Sequence, residues 1–474
     1  AGVTPVCAIG ASAGGVEALQ AFFDALATNL GFAYVVVVHL APDIPSHLAE
    51  VLAPRTAMPV RAVDATTTLA PDQVYVIPPD RELAIDGDAL TAEPFAEPRG
   101  KRTPIDHFFR SVAAARGDGV AIVLSGADTD GTIGARAVKQ AGGLVFVQAP
   151  DDASHPTMPR SVLATGVADT VAAAADLARR LGRLGERRPV DAALAETGDE
   201  NALPRILALL RRRTGHDFAG YKTATLMRRV ARRMQVTHRG TVADYAAYLE
   251  ADADEARALF DDLTISVTTF FRDADAFRTV QTRALPAVIE QLGDGEELRV
   301  WIVGCATGEE AYSLAIAALE ELHRRRSAPQ VQIFATDIDE RALAVAREGR
   351  YPKAIEADVP AELLRRYFTA DGDVYQVKPE VRDLVLFAAH SVVRDPPFLR
   401  LDLISCRNLL IYLDRELQRQ LQELFHYALK PGGYLFLGSA ETVDGDDRFD
   451  LTDRDARLYR ARPKSDRALP ELPR

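Results

Sequence analysis

Short apolar runs rich in β-branched residues alternate along this chain with longer stretches in which apolar positions recur at helical spacing. PVCAIG precedes a helical stretch from about Gly15, AYVVVV one from about Pro45, and VAIVLS one from about Gly131. Strand and helix in alternation predict a parallel sheet with helices on both faces, and a run such as 35–38, apolar at every position, fits a strand buried on both sides. The pattern lapses at 185–204 into charged and small residues with two prolines, the composition of an inter-domain linker, in part helical. Residues 205–285 are helical in pattern. From Leu298 a second alternation begins, with strands LRVWIVG, VQIFATD, DLISC and GYLFLG separated by helices. The prediction is an α/β chain: two doubly wound parallel-sheet domains, at 1–184 and 286–474, joined by the linker 185–204 and a small helical domain at 205–285.

A length of 474 residues suits such a division, since a single core rarely grows so large. No apolar run approaches the roughly 18 residues of a membrane span, so no direct membrane insertion is expected. The net charge of −12 disfavours nucleic acid as a partner unless a local basic patch overrides it. Cys7, Cys305 and Cys406 are far apart and form neither a disulfide framework nor a CxxC pair, which points to a reducing, cytoplasmic setting, and no metal site is expected. The chain opens at Ala1 without a leader segment, as a piece excised from a longer protein would.

Gly10-Ala11-Ser12-Ala13-Gly14-Gly15 follows the first strand and fits G-x-S-x-G, in which small residues let the chain turn sharply and leave the serine oxygen at the top of the sheet. The same string also reads as a glycine turn or a phosphate loop, although G-x-G-x-x-G is not satisfied. His39 ends the second strand and Asp130 follows VAIVLS, so all three would meet at the carboxyl edge of one sheet. Serine as nucleophile, histidine as base and aspartate as orienting acid are the set that acyl transfer needs. The chain order Ser, His, Asp is not that of α/β-hydrolases.

GASAGGVEAL, VVVVHLAPDIPSHLAEVL, VYVIPPD, LSGADTDGTIGARAVKQAGG and MPRSV resemble the catalytic domain of the CheB-type chemotaxis protein-glutamate methylesterases over residues 5–184. The resemblance implies Ser12, His39 and Asp130 as catalytic residues. Ala13 stands where the family commonly has threonine, and Asp128 in a turn that is usually glycine-rich. Asp128 is expected to tolerate a positive φ there, and to compete for His39 or raise a neighbouring pKa.

In the second half, Gly304-Cys305-Ala306-Thr307-Gly308-Glu309-Glu310 follows a first strand, a turn that admits a nucleotide-like ligand to the backbone, with an acidic pair for a cationic amino-acid group. Asp337 ends the next strand where a ribose diol would sit. TISVTTFFRD, VWIVGCATGEEAYSLA, FATDIDERAL, HSVVRDPPF, DLISCRNLLIYL and LKPGGYLFLGSAE resemble the CheR-type protein-glutamate methyltransferases over about 205–460. The resemblance implies S-adenosyl-L-methionine as cofactor, contacts from Thr268, Arg272, Gly304, Glu310, Asp337, Ser391, Arg407 and Asn408, and Tyr412 near the transferred methyl. Ser266 and Ser391 stand where relatives often carry asparagine.

The one basic patch, KTATLMRRVARR at 222–233, sets Leu226, Val230 and Met234 on one side and Arg228, Arg229, Arg232 and Arg233 on the other. It reads either as a solvated cationic face or, through the resemblance, as a docking surface for the glutamate-bearing helices of chemoreceptor-like proteins; nucleic acid is disfavoured for want of interleaved aromatics. Residues 351–385 resemble the small β-insert that grips a receptor tail peptide in some relatives, here with a short loop, as in a form that does not require the tail. The resemblances imply a bifunctional enzyme hydrolysing and forming glutamate methyl esters, able to deamidate glutamine as well, or a signalling scaffold in which one domain has lost catalysis. Opposed activities on one chain need a restraint, and an intramolecular contact of the helical part near Ser12 or His39 is the expected one.

Overall fold

The computed structural model describes residues 4–40, 46–63, 66–95, 102–115, 119–185, 202–264, 267–292, 296–325, 329–372, 374–443 and 447–463. Ser266 and most of 185–204 lie outside these residues. The chain divides into two compact units, Ala1–Arg205 with Met227–Asp252, and Ile206–Leu226 with Ala253–Arg474. The helical stretch expected at 205–285 is therefore shared between the units.

The strands of the first unit are β1 (Val6–Ala11), β2 (Ala33–Val38), β3 (Val60–Ala62), β4 (Thr67–Thr68), β5 (Gln73–Val76), β6 (Arg81–Asp86), β7 (Ala89–Pro94), β8 (Val120–Val123), β9 (Leu144–Gln148) and β10 (Thr170–Ala172). Seven form one sheet in the order β10-β9-β8-β1-β2-β5-β3, parallel at every pairing. The strands β1, β2, β8 and β9, apolar apart from Gln148 at the end of β9, are buried along their whole length as two covered faces require. From β1 the chain builds outward through β2, then returns to β8 on β1's other side and builds the opposite way. The strand order thus reverses between β1 and β8. A small antiparallel sheet, β4-β7-β6, was not expected. Its β6–β7 hairpin turns at Asp86-Gly87-Asp88, with Gly87 at φ 56°.

The second unit carries β11 (Glu297–Val303), β12 (Gln330–Asp337), β13 (Arg350–Pro352), β14 (Phe368–Asp371), β15 (Val374–Val377), β16 (Val385–Ala389), β17 (Leu401–Cys406), β18 (Leu429–Leu437), β19 (Phe449–Asp453) and β20 (Leu458–Ala461). Its main sheet runs β16-β12-β11-β17-β18-β20-β19. The first five are parallel, and β20 and β19 add an antiparallel edge, so the sheet is mixed where a parallel one was expected. Here the order reverses between β11 and β17. The three-stranded antiparallel sheet β13-β15-β14 matches the stretch 351–385 singled out as a β-insert, beginning one residue before it at Arg350. Trp301, fully buried, ties β11 to β12 by donating its indole N–H to Thr336 Oγ1 at 2.9 Å.

Within the first unit, residues 227–237 of the basic helix overturn part of the sequence reading. Arg229 and Arg232 are 4% and 2% exposed, while Arg228 is exposed and Arg233 half-buried. Arg229 donates to the Gln140 carbonyl at 3.1 Å. Arg232 pairs with Asp169, which also takes Lys139 Nζ at 2.7 Å and the Val145 N–H at 2.8 Å. Burial alone would raise the Asp169 carboxyl; Arg232 and Lys139 outweigh it and hold the group below its ordinary value. The cluster sits at the amino end of β9, the edge opposite Ser12. A guanidinium sealed against a buried carboxylate cannot also meet a partner, so Arg229 and Arg232 leave the set of receptor-facing residues.

Removing one member of a buried pair strands the other charge. Arg232→Ala should therefore lower unfolding stability by about 3–5 kcal/mol, read as a fall in the urea midpoint, while Arg228→Ala stays near wild type. Because the Asp169 pKa is depressed, its contribution is present above the ordinary carboxylate range and is lost only as pH falls through the folded value. Equal midpoints for the two variants would show that the Asp169 cluster carries no net stability.

Candidate active sites

In the first unit the strand-order reversal gathers three loops at the carboxyl edge, where a crevice opens between neighbouring connections. Ser12 follows β1, His39 follows β2 and Asp130 lies in the turn after β8. The helix Gly15–Ala25 begins three residues past the serine. Gly14 takes the positive φ of 66° that the turn demands, and a Cβ there would come within 2.8 Å of Ser125 Oγ and Ser154 Cβ. Ser12 itself keeps an ordinary φ.

Ser12 Oγ lies 3.2 Å from His39 Nδ1, and His39 Nε2 lies 2.8 Å from Asp130 Oδ2. The ring nitrogens are exchanged relative to the serine-protease arrangement, while the chain of contacts is the same. Asp130 is buried at 4% exposure and fixed by backbone N–H groups: Ile105 on Oδ2 at 2.9 Å, Asp106 and Gly131 on Oδ1 at 2.8 Å each. Beside it, burial and the Asp130 charge hold the Asp106 carboxyl well above its usual value.

Asp128 also reaches the histidine, its Oδ2 standing 2.7 Å from Nδ1, the nitrogen that faces Ser12. It does so without the positive φ expected of it. Burial would lower the His39 pKa, but Asp128 and Asp130 together overcome this and lift it to about 10. The same contact outweighs burial at Asp128 and holds that carboxyl low.

In the second unit the loops after β11, β12, β16, β17 and β18 converge on the corresponding edge. Gly304 has φ 73°, donates its N–H to the Thr336 carbonyl at 2.8 Å and is exposed, and a Cβ there would touch only Leu409. Asp337 Oδ2 accepts the Ala306 N–H at 2.8 Å and Oδ1 the Asp339 N–H at 2.9 Å. Burial pushes its pKa up to about 6 against these two donors. Glu310 and Arg407 are buried and paired at 3.2 Å. Glu310 also takes the Ser405 hydroxyl at 2.5 Å, and Arg407 reaches Asp273 and the Arg272 carbonyl and lies 4.6 Å from the centre of the Phe436 ring. Both Glu310 oxygens are thereby engaged, and Glu309, also buried, takes the Thr307 hydroxyl. Each Glu310 oxygen thus spends one lone pair inside the protein and keeps another, which leaves room for the ammonium group that the sequence reading assigned to the acidic pair.

Arg272 is partly buried near Arg407, and burial and that neighbour lower its pKa. Thr268 is buried, and Ser391 donates its N–H to Asp395. Tyr412 is held from outside the sheet: Lys222 donates its N–H to the Tyr412 carbonyl at 2.9 Å and its Nζ to the Ile411 carbonyl at 2.8 Å.

Profiles of three known families match the chain: CheB methylesterase over residues 7–181, the all-alpha domain of CheR methyltransferase over 201–264, and the SAM binding domain of CheR methyltransferase over 266–457. A putative methyltransferase, Cher3, of Pseudomonas putida is 35% identical over 52% of this chain and 91% of its own length. Chemotaxis protein methyltransferase 1 of Pseudomonas aeruginosa is 38% identical over 39% of this chain and 69% of that protein. The chain joins a CheB methylesterase domain to a CheR methyltransferase. An uncharacterized 104.1 kDa protein of Rhodobacter capsulatus is 38% identical over 87% of this chain, which spans 46% of that protein's length. The catalytic domain of Thermotoga maritima CheB methylesterase, at 27% identity, aligns with 38% of this chain and 98% of its own at a TM-score of 0.36.

The cofactor of a SAM-binding CheR domain is S-adenosyl-L-methionine, and the donor set fits it. Asn408 Oδ1 is a buried acceptor with no partner among the described residues, Gly304 leaves its backbone open, and the Asp337 oxygens each retain a lone pair for a ribose hydroxyl. Sequence reasoning passed over Glu441, which accepts the N–H groups of Asn408, Gly438 and Ile411 and so shapes the wall around Asn408. An acid just past the last parallel strand, in GSAE, was the available signal. It also passed over Ser405 and Asp106.

Cofactor binding should depend on pH through Asp337. Its ionised form accepts ribose hydroxyls, so affinity rises with pH and levels off above the raised pKa of about 6. At pH 5 calorimetry on the whole chain should give a dissociation constant about tenfold weaker than at pH 8, and Asp337→Asn should flatten the profile. A profile equally steep in the variant would assign the titration to another group.

Proposed function

We propose that the chain is a bifunctional receptor-modification enzyme, hydrolysing glutamate methyl esters in its first unit and forming them in its second, on the helices of chemoreceptor-like proteins. The observation that carries this reading is the Ser12–His39–Asp130 chain of contacts at one strand-order reversal, with an open nucleoside-type site at the other. In hydrolysis, Ser12 Oγ attacks the ester carbonyl while His39 Nδ1 takes its proton and returns it to the departing methoxide, releasing methanol. Asp130 fixes the ring through Nε2, and water repeats the sequence to free the acid. The start of the helix Gly15–Ala25 favours the developing oxyanion. A glutamine side chain in the same position would lose ammonia, so deamidation belongs to the same site.

Methyl transfer asks less of the protein. Bound S-adenosyl-L-methionine supplies an electrophilic methyl, and a glutamate carboxylate is already a nucleophile, so in-line positioning is the main task. Asp337 would hold the ribose, the Gly304 turn would pass close to the cofactor, and Tyr412 would stand beside the methyl, fixed by Lys222. Arg228, exposed on the same helix, is the cationic residue of that set that would meet an acidic receptor helix. A second reading, a signalling scaffold whose esterase has lost catalysis, draws on one contact, Asp128 against His39.

Ser12→Ala should abolish methanol release and leave labelled-methyl transfer unchanged, whereas Asp337→Ala should do the reverse by weakening cofactor binding, at roughly 1.5–3 kcal/mol for each charged hydrogen bond lost. Hydrolysis near wild type in the serine variant would remove Ser12 from the mechanism. No methanol release by the wild type at any pH would favour the scaffold.

A further inference from the structure

The turn 127–130 brings two carboxylates to one imidazole. Asp130 is buried, takes three backbone N–H groups and binds Nε2, as an orienting acid should. Asp128 is different: its side chain is 43% exposed and its Oδ2 approaches Nδ1 at 2.7 Å, closer than Ser12 Oγ at 3.2 Å. That nitrogen must present a lone pair to the serine hydroxyl if His39 is to act as base. An anion at 2.7 Å offers an acceptor but no donor, so the arrangement is satisfied by a proton on Nδ1. With Nε2 donating to Asp130 as well, both nitrogens carry hydrogen and the ring is an imidazolium.

We propose that Asp128 is a positioning residue that holds His39 in its protonated form, so that hydrolysis begins only when Asp128 lets go of Nδ1 and the proton leaves. This rests on the esterase reading above and adds a control to the same site. The sequence of events balances. The Nδ1 proton passes to solvent as Asp128 turns outward, a movement its exposure allows. Nδ1 then accepts the proton of Ser12 as the Oγ–carbon bond forms, and delivers it to methoxide as the ester carbon–oxygen bond breaks. The charged groups bearing on the ring are Asp128 and Asp130 from the turn after β8, with Asp106 and Arg110 of the helix Pro104–Ala115 behind Asp130. Those touching the ring are both negative, which agrees with its pKa being held near 10.

Asp128→Asn is a suitable probe. It removes the charge and keeps an oxygen able to accept the Asp130 N–H, which Asp128 Oδ1 accepts at 3.1 Å. In the whole chain, selectively labelled with carbon-13 histidine and assigned through His39→Gln, the His39 ring should titrate near pH 10 in the wild type and close to the ordinary imidazole value, about 6.5–7, in the variant. The ascending limb of kcat/KM for a methyl-esterified glutamate peptide should move by the same interval. At pH 7.5 that raises the rate on the order of 100-fold, with the plateau at high pH unchanged.

Superimposable titrations and rate profiles would overturn the role of Asp128 and leave the esterase standing. A titration that moves without methanol release at any pH, in either protein, would uphold Asp128's hold on His39 and overturn the esterase reading.

Discussion

Parallel strands deliver all their carboxyl ends to one edge of a sheet, and where the strand order reverses, the loops on either side part and leave a crevice. Both units of this chain depend on that constraint. In the first, the reversal between β1 and β8 brings together residues 12, 39 and 130, which only the fold makes neighbours. In the second, the reversal between β11 and β17 collects Gly304, Asp337 and Asn408. The strands reach this arrangement because they are apolar on both faces, so burial on both sides fixes the layer order and the layer order fixes the edge.

That causal order explains what was legible in the sequence. Strands such as AYVVVV and VAIVLS announce a doubly covered sheet, and a residue just past each strand's end is on the functional edge wherever the strand sits. Ser12, His39, Asp130 and Asp337 could therefore be placed on that edge without knowing the strand order. The β6–β7 hairpin carries a hairpin signal in Asp86-Gly87-Asp88, but its runs bury only Leu83, Ile85 and Leu90, too few apolar positions to stand out beside the βαβ strands. The antiparallel pair β19–β20 was missed for another reason: LTDRDARLYR carries as much charge as a loop, since an edge pair has one wet face.

Side-chain commitments were less legible than positions. Glu310 and Arg407 were identified as site residues, but nothing in their spacing says that they spend their charges on each other. Once Glu310 is buried it needs a cation, and Arg407 is the nearest, with Ser405 closing the remaining oxygen. Similarly, the arginines at 228, 229, 232 and 233 look alike in a helical pattern. Only Asp169 and the Gln140 carbonyl, from distant parts of the sequence, separate the buried two from the others.

The two chemistries place opposite demands on charge. Methyl transfer consumes a carboxylate in the form it holds at neutral pH, so its site can bury charges in mutually satisfied pairs and leave the reacting groups alone. Ester hydrolysis needs a base whose lone pair is free of a proton, and every anion brought near that base favours its protonated form. One carboxylate at the far nitrogen orients the imidazole at tolerable cost, because the serine still has a nitrogen to itself. A second carboxylate at the serine's own nitrogen is another matter, since it competes for the position where the proton must arrive. If the chain carries both reactions as proposed, such competition would restrain hydrolysis under the conditions in which transfer proceeds, and it would do so from within the turn that holds Asp130.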